Sequence, residues 1–158
     1  MLKKYLTIFL ISMVPILELR GAIPYSVGFR LPSIPSFIVC VIGNMIPVPF
    51  IYWFARRVLE WGKDKRFIGR FFTWCLVKGE RGGQKLMEKS GVGVYIALLL
   101  FVGIPLPGTG AWTGTLAASF LELDWRKSVI MVMLGVVMAG VIMYLGSVGV
   151  FGAIGLLK

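Results

Sequence analysis

Four long apolar runs limit what this chain can become. They cover about residues 5–29, 34–55, 92–121 and 128–157. Each is at least as long as the roughly 20 residues a helix needs to cross a hydrocarbon core of about 30 Å. One soluble core cannot enclose four such runs. Hydrophobic residues make up 58% of the chain, against roughly 45–50% in soluble domains. The chain therefore reads as an all-α integral membrane protein, one membrane domain over residues 1–158. The start, Met1-Leu2-Lys3-Lys4, resembles a signal peptide, but Ser12-Met13-Val14-Pro15 offers no small-x-small cleavage site.

Two of the runs are clean and two are broken. Run 5–29 carries Pro15, Glu18, Arg20, Gly21 and Pro24, and run 92–121 carries Gly103 through Gly114 with Pro105, Pro107, Gly108 and Gly110. Proline removes a backbone donor and clashes with the preceding turn. Unpaired backbone groups cost several kcal/mol each in lipid, so broken helix survives only inside protein or along a wet cavity. Each broken run is expected to fold as a re-entrant hairpin. The order broken-then-clean occurs twice, which predicts two repeats, 1–55 and 92–158, joined by 56–91.

Charge orients the chain. Ten of the 17 Lys and Arg lie between Arg56 and Lys89. The positive-inside rule assigns that segment to the cytoplasm of a multi-pass inner or plasma membrane protein. Phe67, Ile68, Phe71, Phe72, Trp74 and Leu76 alternate there with Lys65, Arg66, Arg70 and Lys78, the pattern of a basic amphipathic interfacial helix. If both broken runs re-enter, 34–55 runs inward and 128–157 outward, and the repeats are inverted, as in many secondary transporters. If both cross fully, the N-terminus is inside, which suits Lys3 and Lys4 but leaves Arg126 and Lys127 outside. The net charge of +10 has this topological cause, so nucleic acid is not an expected partner.

The chemistry sits at the breaks. A charge at bilayer depth costs at least a few kcal/mol and marks a functional site. Two residues apart on a helix, Glu18 and Arg20 cannot pair directly; in a broken stretch both can face one cavity. Glu18 is suited to bind a coupling ion, H+ or Na+. Arg20 is suited to a phosphate or carboxylate, which it holds in bidentate fashion. Gly21 and Pro24 complete the first break. Pro105, Pro107, Gly108, Thr109, Gly110, Trp112 and Thr113 supply a turn, hydroxyls and an aromatic wall at the second. Asn44, beside Pro47 and Pro49, adds a polar group in the second run. These residues form the expected substrate and ion site.

The chain contains no histidine, which removes His-based triads, His proton shuttles and most zinc sites. Cys40 and Cys75 have no metal or redox spacing. Neither a metal, a cofactor nor an enzymatic activity is expected. Gly146, Gly149, Gly152 and Gly155 smooth the last run. Close packing within the chain is favoured over a homodimer seam.

Glu18-Leu-Arg-Gly-Ala-Ile-Pro24, together with Pro105-Leu-Pro-Gly-Thr-Gly-Ala-Trp-Thr-Gly114, resembles the paired signatures of the small multidrug export protein family, over nearly the whole chain. That family is distantly similar to the DedA-like membrane proteins. The resemblance implies two re-entrant hairpins, membrane lipids as surroundings, and movement of an amphipathic or lipid-like molecule. The leading expectation is an ion-coupled transporter, with H+ as the coupling ion and a midplane site between opposed hairpins. The alternatives are a phospholipid or polyprenyl-phosphate translocase, and a membrane scaffold that does not transport.

Overall fold

A computed structural model describes residues 1–55 and 92–154, and between them Arg57, Trp61, Gly69, Arg70, Thr73, Trp74 and Val77. Most of the expected amphipathic segment lies outside the described residues. The described part is helical: α1 (Leu2–Met13), α2 (Glu18–Gly28), α3 (Ser33–Met45), α4 (Pro47–Phe50), a π-helical turn (Ile51–Ala55), α5 (Val92–Gly103), α6 (Ala111–Phe120) and α7 (Trp125–Ala153). Two stretches, Ser33–Phe54 and Trp125–Ala153, are long and apolar enough to cross a membrane.

Proline stops α1. Val14 precedes Pro15 and is held extended at φ −76°, ψ 130°, the conformation a following proline imposes. The chain then turns back through Glu18, and α2 packs along α1. Lys4, near the start of α1, donates to the Phe29 carbonyl just past the end of α2, at 3.5 Å. The first broken run is thus a helical hairpin with both ends at one end of the molecule. The second is built alike. Ile104-Pro105 ends α5, the loop turns through Gly108 (φ 83°) and Gly110 (φ 138°), and α6 returns. The Asp124 amide donates to the Tyr95 hydroxyl at 3.1 Å, closing the open end of this hairpin.

Both hairpins end in the same cap. After α2, the Leu31 amide donates to Ser26 and that of Arg30 to Val27, with Arg30 at φ 54°. After α6, Leu123 donates to Ala118 and Glu122 to Ser119, with Glu122 at φ 52°. Each is a Schellman motif with a left-handed residue just past the helix. The next residue of each repeat starts a long helix: Pro32 precedes α3 and Asp124 precedes α7, at φ −53° and −56°. The likeness between the two halves thus extends to individual hydrogen bonds.

The repeats are inverted. Ser33, at the start of α3, hydrogen-bonds Tyr144 late in α7. Tyr52, at the far end of that span, donates to the Leu123 carbonyl just before α7, and its ring lies 5.3 Å from that of Trp125. The two long helices are therefore antiparallel, and the hairpins approach from opposite ends. Glycines allow the close approach. A Cβ on Gly43 would stand 2.8 Å from the Phe9 carbonyl of α1, and one on Gly135 2.8 Å from the Leu99 carbonyl of α5. Ile8, Leu19, Ile23, Leu98, Val102, Val132 and Val136 fill the core. Ile34, Ile38, Ile42, Ile96, Leu100, Ile130 and Leu134 point outward, so the helices are apolar on both faces, which suits a lipid surround.

Candidate functional site

The hairpin tips meet, and each satisfies the other's broken helix ends. Helix α6 is preceded by Gly110, which has no side chain to cap it, so the first α6 amides need an acceptor from elsewhere. Glu18 provides it from the other hairpin. Its Oε2 accepts from the Ala111 amide at 3.3 Å and its Oε1 from the Trp112 amide at 3.1 Å. The carboxylate also sits at the positive end of the α6 dipole. Glu18 is only 5% exposed and takes φ 48°. A Cβ on Gly110 would run into the Glu18 carboxylate, so the glycine is needed for the approach as well as for its φ of 138°.

Arg20 serves the opposite kind of end. Its guanidinium donates to the carbonyls of Leu106 and Ile104, the latter at 3.4 Å, and to the Thr109 hydroxyl at 2.7 Å. These carbonyls follow α5, whose C-terminal end favours a cation. Trp112 completes the exchange: its Nε1 donates to the carbonyl of Met13, the last residue of α1, at 3.2 Å. Glu18 and Arg20 each bind the second tip. The acid and base act in parallel across the two repeats.

Beside this contact lies a cavity of about 430 Å³. Of the residues singled out in the sequence, Glu18, Arg20, Pro105, Pro107, Gly108, Thr109, Trp112 and Thr113 line it. Gly110 lies against Glu18. Gly21 and Pro24 sit elsewhere, in a cleft with Tyr25, Gly28, Phe29 and Phe151. Asn44 is buried, and among the described residues its Oδ1 has no hydrogen-bond partner, as is true of Thr115 Oγ1 and Ser128 Oγ. Leu106, Leu116, Met143 and Trp74 also line the cavity, with Pro15 and Ile16 from the first tip. Leu116 and Met143 are apolar residues in apolar runs and carry no mark in the sequence. Among the described residues no three His, Cys, Asp or Glu side chains converge as a metal would require.

The arrangement sets a largely apolar cavity against the two charged side chains that join the tips. A family model described as "Putative small multi-drug export protein" matches residues 18–142, the stretch that holds both tips. No curated protein and no solved structure matches the chain.

Proposed function

The chain belongs to the small multi-drug export protein family, whose name points to a membrane transporter, and from that premise we propose an ion-coupled carrier with its site between the two hairpin tips. The observation that carries the reading is the reciprocal capping: Glu18 holds the start of α6 while Arg20 holds the end of α5, both on the wall of the cavity. The arms of the hairpins have 12, 11, 12 and 10 residues. At 1.5 Å per residue each reaches about half of a 30 Å core, so in a bilayer both hairpins re-enter and their tips meet near its midplane. By the charge of the segment 56–91, the ends of the helices that it joins face the cytoplasm, and Lys3 and Pro32 lie on the far side.

Coupling follows from the chemistry of the cap. An ionised carboxylate makes charge-assisted bonds to the two amides and meets the helix dipole. A proton on Glu18 removes that charge and weakens both attractions, so proton uptake loosens one tip from the other. Loosening opens the cavity wall, and proton uptake on one side with release of that proton on the other converts the gradient into movement of an apolar or amphipathic substrate. Transport driven by a proton gradient, in liposomes holding only the purified protein, tests this. Glu18→Gln is expected to lose gradient-driven uptake while keeping the fold. Undiminished uptake in that variant would remove Glu18 from the coupling.

A further inference from the structure

The cavity has two tryptophans on its walls, and only Trp112 belongs to a hairpin. The other, Trp74, comes from the segment between the repeats. By sequence pattern Trp74 belongs to the apolar side of an interfacial helix. Its place in the structure is beside Glu18, Arg20 and the second tip, with the residue 54% exposed.

Three polar side chains at the cavity, Glu18, Arg20 and Trp112, are engaged in holding the two tips together. The Glu18 carboxylate holds two amides. The Arg20 guanidinium holds two carbonyls and Thr109. The Trp112 indole N–H holds Met13, which fixes the plane of its ring. A polar ligand would compete with these bonds for the same side chains, whereas an apolar ring would leave them in place. The rest of the wall is mainly apolar: besides Gly108 and Thr113 it is proline, isoleucine, leucine and Met143, whose thioether makes favourable contacts with aromatic rings. Selection in such a site comes from shape and from ring–ring contact, which exceeds simple area burial.

We infer that Trp74 is a substrate-contacting residue that, with Trp112, makes the cavity select molecules with a flat aromatic part over aliphatic molecules of similar size. This rests on the cavity being the transport site, and the experiment separates the two claims. The purified full-length protein in detergent micelles is dialysed to equilibrium against two uncharged probes, pyrenemethanol and adamantanemethanol, with empty micelles as the blank. The parent is expected to bind pyrenemethanol more tightly. Trp74→Ala should weaken pyrenemethanol about tenfold and adamantanemethanol less than about twofold, while Trp74→Phe keeps most of the affinity. Trp74→Leu, which preserves apolar bulk, should behave as Trp74→Ala does and serves if that variant does not fold. Equal weakening of both probes, or of neither, overturns the role of Trp74 and leaves the transport site standing. A parent that binds neither probe overturns the cavity as a site, and this inference with it.

Discussion

Glu18 occupies a backbone angle that side chains with a Cβ avoid, φ 48°, at a cost of order 1 kcal/mol. Its carboxylate offsets that cost through two bonds to the start of α6. Glu18→Ala should leave both amides without an acceptor and destabilise the purified protein by about 2–4 kcal/mol in a detergent unfolding titration. Glu18→Gln should cost roughly half as much, because the amide oxygen still accepts but without the charge. Gly110→Ala places a methyl group against the same carboxylate in a backbone conformation that suits glycine, and should cost a similar amount. The two changes should not add: Glu18→Ala clears the space, so the double variant should be more stable than the sum of the single effects implies. Full additivity would mean that Gly110 and Glu18 do not touch.

Much of the element plan is legible because helix breakers act locally. Pro15 forces Val14 out of helix, and Pro105, Gly108 and Gly110 shape the second loop whatever surrounds them. The partner of each broken end is not legible. Glu18 caps a helix that starts 93 positions later in the chain, and nothing local marks that pairing. The glycines also divide in a way the sequence hides. Gly146, Gly149 and Gly152 suggest close packing within the chain, yet a Cβ on any of them meets nothing within 4 Å among the described residues. Gly103, Gly114 and Gly140 meet side chains at under 3 Å, while Gly43 and Gly135 each pack against a backbone carbonyl of the hairpin in its own repeat. Gly43→Ala must push two helices apart and should destabilise. Gly149→Ala stays in open space and should stabilise by about 0.5–1 kcal/mol through helix propensity. The same unfolding titration compares them. Equal effects would mean that the α1–α3 crossing is looser than the carbonyl approach implies.

At the scale of the molecule, two hairpins from opposite ends share one set of caps, so neither repeat satisfies its own backbone alone. That arrangement requires Lys3 and Pro32 to lie at one end and Asp124 at the other. A plain four-span bundle would instead put Pro32 and Asp124 together, with Lys3 opposite. The charge pattern alone suits each topology in part. The deciding measurement replaces Cys40 and Cys75, introduces one cysteine at Lys3, Pro32 or Asp124, and labels intact cells and inverted vesicles with an impermeant maleimide. The opposed-hairpin account predicts that the Lys3 and Pro32 positions label from outside and the Asp124 position from the cytoplasmic side. If Pro32 and Asp124 label from one side and Lys3 from the other, both broken runs cross the membrane, and the tip-to-tip site is contradicted.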